Sequence, residues 1–158
     1  MTVIAWDGRT LAADKRCTLG GMIVAVSKLK AHEGCLLAAS GESSMGRELV
    51  AWFCAGAKAA DWPANNRDAD KGACLVVVRP EGTLWRYENG PHPYRVESVP
   101  AAFGSGSEAA MGAMLAGADA ATAVKIAAQV NAYCGNGVDW MRLDGAYSLG
   151  APSPYEPR

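Results

Sequence analysis

The sequence predicts an α+β fold of layered sheets and helices, and three observations predict it. Strand-like runs come first, then a helical pattern, then more strands, two helices and a further strand, which is grouping and not the strict alternation of a parallel α/β fold. An Asp-Gly step between two β-prone runs near the start marks an antiparallel hairpin. The two later helices are rich in alanine and glycine, and such flat faces pack closely on a sheet. At 158 residues the chain makes about one domain with a sizeable core.

Taken in order, strands are expected near 2–7 and 10–16, either side of Asp7-Gly8-Arg9, because glycine accepts positive φ without steric penalty. In GGMIVAVSKLKAH, Gly20-Gly21 makes a turn ahead of an apolar run, Glu33-Gly34 punctuates it, and CLLAAS reads as a buried strand. The period changes at GESSMGRELVAWFCAGAKAADW, where Met45, Leu49, Trp52 and Phe53 recur at helical spacing behind Ser43 or Ser44 as the cap. PANNRDADKG is a polar loop, and ACLVVVRPEGTLWRYENG gives strand, Pro-Glu-Gly turn and strand.

PHPYRVESVPAAFGSG holds too many prolines for a regular central strand, with Phe103 ending a short one before Gly104-Ser105-Gly106. SEAAMGAMLAG and DAATAVKIAAQVNAY are helices parted by Gly117, with Ser107 and Asp119 as caps. CGNG breaks the pattern, VDWMRLD is expected as the final strand, and the Gly- and Pro-containing stretch over 145–158 as a loosely ordered tail behind one domain over 2–144.

Composition narrows the function classes. Fifteen basic residues against sixteen acidic ones leave a formal charge of −1, so nothing in bulk electrostatics favours nucleic acid or an anionic membrane. Cys17, Cys35, Cys54, Cys74 and Cys134 are odd in number and lack CxxC spacing, which reads as buried thiols in a reducing cytoplasm and against zinc or disulfides. No basic stretch followed by an apolar one opens the chain, and no apolar run reaches membrane-spanning length. A cytoplasmic location is the expectation.

Four residues draw attention as chemistry. Met1 is normally trimmed before a small residue, which would leave Thr2 with a free amine beside its hydroxyl. Alone, Thr2 is an ordinary β-branched start to a strand. Asp14 closes the apolar TLAAD, Lys28 sits in VAVSKLK, and Ser105 lies between two glycines, and each also has a plain reading as strand end, surface lysine or spacer. GSGSEA lacks the GK[ST] ending of a phosphate loop. His32 and His92 read as strand-end and loop residues.

Together these residues carry a resemblance. In order, TVIAWDGRTLAADKRCTLGG, the run containing SKLKA, LLAASGE, FGSGSEAAMGAMLAGADAATAVKIAAQVNAY and CGNGVD resemble the proteasome β-subunit and HslV-like family of N-terminal threonine hydrolases, over residues 2 to about 143. Within it the chain is most similar to the short, single-domain proteasome-like proteins of bacteria and phages. The resemblance implies an N-terminal nucleophile hydrolase fold, a four-layer αββα sandwich, assembled as a homo-oligomeric ring that degrades peptides or unfolded protein. It implies no cofactor or metal, and it brings in a separate ATPase unfoldase as a partner, of which this chain carries no motif.

By position, the resemblance makes Thr2 the nucleophile with its own α-amine as general base, Asp14 and Lys28 its charged partners, Ser105 the serine beside the amine, and Gly41 the oxyanion-hole donor. Asn131 and Cys134, as supporting residues, stand where many members carry an aspartate and a hydroxyl, a departure that keeps hydrogen bonding but not the charge. Cys17, Val26, Lys30, Ala39 and Ser43 correspond to the side-chain pocket, and the small Ala39 leads to an expected cleavage after apolar or aromatic residues. Two rival readings keep the fold: an inactive ring or phage-assembly scaffold subunit, and an amidase for small molecules.

Overall fold

The computed structural model describes residues 1–63 and 72–150. Residues 64–71 of the expected polar loop, and 151–158 of the expected tail, lie outside the described residues. Among the described residues the fold is mixed α/β, with three α-helices and three sheets.

The hairpin at Asp7-Gly8 is formed by β1 (Val3–Trp6) and β2 (Thr10–Asp14), with Ile4 opposite Ala13 and Trp6 opposite Leu11. Asp7 closes it, one carboxylate oxygen accepting from the amides of Arg9 and Thr10 at 2.9 and 2.7 Å, while the other accepts from Ala120 at 2.8 Å. The same turn thus tethers the start of a helix more than a hundred residues on. The second strand stops at Asp14 and does not run to 16, because the Lys15 amide turns away to the carbonyls of Gly135 and Gly137 at 3.0 and 3.1 Å.

The chain resumes as β3 (Arg16–Leu19) and β4 (Met22–Ala25), a two-stranded sheet turning at Gly20-Gly21. Next come β5 (Leu29–His32), β6 (Cys35–Gly41), α1 (Ser43–Cys54), a short 3-10 turn (Ala59–Asp61), β7 (Ala73–Val78), β8 (Leu84–Tyr87) and β9 (Tyr94–Val96). After them β10 (Ala101–Gly104), α2 (Ser107–Leu115), α3 (Ala120–Val130), β11 (Val138–Arg142) and β12 (Tyr147–Leu149) complete the described fold. The five-stranded sheets run β10-β1-β2-β11-β12 and β5-β6-β7-β8-β9, antiparallel throughout. The proline-flanked strands β9 and β10 both fall at sheet edges, where a missing N–H breaks no ladder.

Three further expectations differ from the structure. α1 is capped by Glu42, not Ser43 or Ser44: its carboxylate accepts from the Ser44 and Met45 amides at 3.1 and 2.9 Å, and from the Ser44 hydroxyl. Ser107 is the first helical residue of α2 and Gly106 sits at its cap without a side chain to offer, whereas Asp119 does cap α3 through the Thr122 amide at 2.7 Å. VDWMRLD is not the last strand, since β12 pairs with β11 inside the stretch expected to be loose.

Buried side chains form three clusters. Ile4, Trp6, Leu11 and Ala13 meet Leu36, Ala38, Val76 and Val78 between the two five-stranded sheets. The alternate residues Val3, Ala5 and Ala12 meet Ala110, Ala123, Val124 and Ala127 of α2 and α3. On the second sheet Leu37, Leu75 and Val77 meet Met45, Leu49 and Trp52 of α1, where Trp52 stands edge-on to Trp62 at 4.8 Å and to Tyr87 at 5.3 Å. Every residue of β1 is therefore covered whichever way it points, which is why the strand reads as a continuous apolar run. No helix among the described residues is long and apolar enough to cross a membrane.

Candidate active site

Sheet register brings the first site residues together. β1 lies between β10 and β2, with Val3 opposite Gly104 and Ile4 opposite Ala13, so the residue before Val3 meets the residue after Gly104 and the end of β2. Thr2 is buried there. Its nitrogen donates to Ser105 Oγ at 3.2 Å, and the Ser105 hydroxyl and the Gly106 amide both reach the Thr2 carbonyl, at 3.3 and 3.4 Å.

Both glycines of the GSG turn are required by this approach. Gly104 has φ 89°, and a Cβ on it would stand 2.2 Å from the Thr2 carbonyl oxygen. A Cβ on Gly106 would stand 2.9 Å from both Cys134 Sγ and Val3 Cβ. Ser105 can touch Thr2 only because its neighbours have no side chains.

Asp14 is fully buried and accepts four hydrogen bonds. One oxygen takes the Val3 amide at 2.9 Å and Lys28 Nζ at 2.7 Å, and the other takes the Gly135 amide at 2.9 Å and the Arg16 amide at 3.2 Å. Burial of such a carboxylate is tolerable only with partners of this number and charge. Lys28 arrives between β4 and β5 and also donates to the Met1 carbonyl at 3.3 Å. Met1 is joined to Thr2 in this structure, so the Thr2 nitrogen bonded to Ser105 is an amide.

Asn131 and Cys134 hold the far side of Ser105. Asn131 Nδ2 donates to the Ser105 carbonyl at 2.7 Å while its Oδ1 accepts the Tyr133 amide at 2.9 Å, and Cys134 Sγ lies 3.7 Å from Ser105 Oγ. Burial, followed by the nearby Asp14 carboxylate, pushes the Cys134 thiol up, so it stands beside Ser105 as a neutral group. Below them Lys15, which carries no signal in the sequence beyond a charge inside DKR, pairs with buried Asp139 at 3.0 Å and donates to the Gly150 carbonyl at 3.0 Å. Because the Lys15 amide grips the Gly135–Gly137 turn, this ion pair braces the same turn whose Gly135 amide is bonded to Asp14.

Thr2, Lys28 and Gly41 line one cleft of about 640 Å³. Gly41 has φ 106°, and a Cβ there would lie 2.5 Å from the Gly72 carbonyl oxygen, so no other residue fits. The five residues assigned to a side-chain pocket, Cys17, Val26, Lys30, Ala39 and Ser43, all line this cleft. Missing from that set were Gly46, Arg47, Val50 and Ala51 of α1. The signal was present: they lie three, four, seven and eight residues after Ser43, which is one face of a helix. Neither His32 nor His92 lines the cleft.

No protein-family model matches the chain, and no curated protein matches it. Solved structures match it in shape. BPH from Thiobacillus denitrificans, in a complex with epoxomicin, superposes with a TM-score of 0.67 at 20% identity over 90% of this chain and 99% of that one. A second structure of BPH from the same organism gives 0.65 at 21% identity over 90% and 97%. Eukaryotic HslV from Trypanosoma brucei gives 0.64 at 19% identity over 89% and 97%. The chain has an HslV-like fold.

Proposed function

We propose that this chain is an N-terminal nucleophile hydrolase, a threonine endopeptidase in which Thr2 attacks the peptide carbonyl once Met1 has been removed. The observation that carries this reading is the convergence on one buried threonine of a hydroxyl at 3.2 Å from its nitrogen and a Lys28–Asp14 pair bonded to the residues either side of it. The three buried clusters support the four-layer αββα arrangement that such hydrolases carry.

Loss of Met1 changes two things at once. The Thr2 amide becomes an amine, and Lys28 loses its contact with the Met1 carbonyl while keeping Asp14. A cation beside the new amine disfavours its protonated form and moves it below the ordinary α-amine value of about 7.7–8.0, so the amine accepts a proton at neutral pH. As Thr2 Oγ attacks, the amine takes the hydroxyl proton, with Ser105 orienting that nitrogen. The oxyanion forms against the Gly41 amide, a donor of the kind whose loss raises the barrier by about 3–4 kcal/mol. The amine then gives its proton to the leaving amine, and water, deprotonated by the same group, hydrolyses the ester on Thr2.

Asn131 and Cys134 support an active site over an inactive scaffold, because between them they hold Ser105 where a charged residue and a hydroxyl would otherwise do so. The homo-oligomeric ring, with an unfoldase feeding it, belongs to the same proposal and is read by native mass, where a monomer or dimer would favour a small-molecule amidase instead.

The test is the intact mass of the purified protein combined with hydrolysis of fluorogenic peptides. The reading requires a protein lighter by one methionine and a Thr2→Ala variant that keeps its circular dichroism spectrum but loses at least about a thousandfold in rate, the scale of a lost nucleophile. Equal hydrolysis by a form that keeps Met1, or by Thr2→Ala, overturns it.

A further inference from the structure

The cleft beside Thr2 carries more positive charge than the proposed chemistry uses. Among the described residues, Arg16, Lys28, Lys30 and Arg47 line it, against the one carboxylate of Glu42. Two of these cations are already engaged, Lys28 by buried Asp14 and Arg16 by the Ala132 carbonyl. The Glu42 carboxylate is engaged as well. It caps α1 through the Ser44 hydroxyl and the Met45 and Ser44 amides, which, with a smaller contribution from Arg47, hold its carboxyl down at about 2.

Lys30 and Arg47 remain. Both are exposed, and neither has a described carboxylate within 4 Å, although Arg47 stands near enough to Glu42 to help lower its carboxyl. They come from separate walls: Lys30 is the outward residue after buried Leu29 on β5, and Arg47 lies one turn after Ser43 on the face of α1 that lines the cleft. Between those walls the floor is made of small residues. Ala39 on β6 meets Gly46 so closely that a Cβ on the glycine would stand 3.1 Å from the alanine methyl.

On the strength of the peptidase reading above, we infer that the side-chain pocket takes an acidic side chain, glutamate or aspartate, at the residue whose carbonyl Thr2 attacks. Val26 and Val50 give the methylenes of that side chain apolar contact, and Lys30 and Arg47 meet its carboxylate. Ala39 provides the room that suggested an apolar or aromatic preference, but a floor sets size and not charge. A bulky apolar side chain filling the cleft would strip water from two cations and return nothing to them.

The experiment is kcat/KM on a peptide series identical except for Glu, Asp, Leu, Phe or Lys before the scissile bond, using full-length protein whose Met1 removal is verified by mass. The inference requires Glu or Asp to exceed Leu and Phe by about ten- to thirtyfold, the scale of two partly exposed ion pairs, with Lys the poorest. It requires that advantage to shrink as salt rises, and the Glu-to-Leu ratio to fall by about the same factor in Arg47→Glu while the Lys peptide gains. Faster cleavage after Leu or Phe than after Glu, or a ratio unmoved by Arg47→Glu and Lys30→Ala, overturns the inference and leaves the peptidase standing. No cleavage of any peptide, with no covalent labelling of Thr2, removes both.

Discussion

Replacing Asp14 by asparagine keeps the outline of the side chain and removes its charge, and the hydrogen bonds on that carboxylate set the cost. Its two oxygens accept four donors, Val3 N and Lys28 Nζ on one, Gly135 N and Arg16 N on the other. An amide has only one acceptor oxygen, so in either orientation two of those donors face an NH₂ group. The Lys28 ammonium also loses its counter-ion while its side chain remains 9% exposed. One-sided disruption of a buried pair costs about 3–5 kcal/mol, and this residual exposure favours the lower end.

For a domain of this size about 3 kcal/mol lowers Tm by roughly 6–12 °C. Thermal denaturation followed by circular dichroism measures that directly, and Lys28→Met on the Asp14→Asn background recovers part of the loss because the stranded charge is gone. The same substitution loosens the Val3 amide next to Thr2, and a misplacement of about 1 Å at the proposed nucleophile is expected to cost roughly a hundredfold in kcat/KM. An Asp14→Asn protein that melts within about 2 °C of the parent and cuts peptides at the parental rate would refute the four-donor account of this residue.

Gly104→Ala puts a methyl 2.2 Å from the Thr2 carbonyl oxygen at φ 89°. The left-handed backbone alone costs about 1–2 kcal/mol, and the forced shift of Thr2 predicts a larger loss in kcat/KM than in stability, read by comparing both against the parent. Glu42 has its carboxyl lowered to about 2, first by the Ser44 hydroxyl and then by the Met45 and Ser44 amides, so its stabilising effect is present above the ordinary glutamate value and is lost as pH falls through about 2. Since Glu42 is exposed, solvent screening keeps the effect to about 1 kcal/mol or less. Glu42→Gln is therefore slightly less stable than the parent in urea melts at neutral pH, and the difference disappears as pH approaches 2.

What was legible in the sequence was local or carried by resemblance. The β1–β2 hairpin follows from one Asp-Gly step, and the Asp119 cap from a side chain that needs only the amide three residues on. The convergence of Thr2, Asp14, Lys28 and Ser105 is invisible to spacing, since Thr2 and Ser105 are 103 positions apart, and was reached through resemblance. Lys15 shows what remained hidden. Inside DKR it looks like a solvated charge, and its partner Asp139 is 124 positions away inside a run that reads as an ordinary strand. Glu42 was missed as a cap because serines beside it are the commoner choice, and β12 because three exposed residues in a glycine- and proline-rich stretch give no periodic signal.

In the proposed mechanism one residue supplies both the attacking oxygen and the base that frees it, and a peptide epoxyketone reports on that pairing, because closing its ring takes the hydroxyl and the free amine of the same residue. After incubation with the mature protein, peptide mapping by mass spectrometry is predicted to find one adduct per chain, bonded to Thr2 through both Oγ and nitrogen, in step with loss of peptide hydrolysis. Hydrolysis that continues with Thr2 unmodified, or is lost when the adduct maps to another residue such as Cys134, would contradict it.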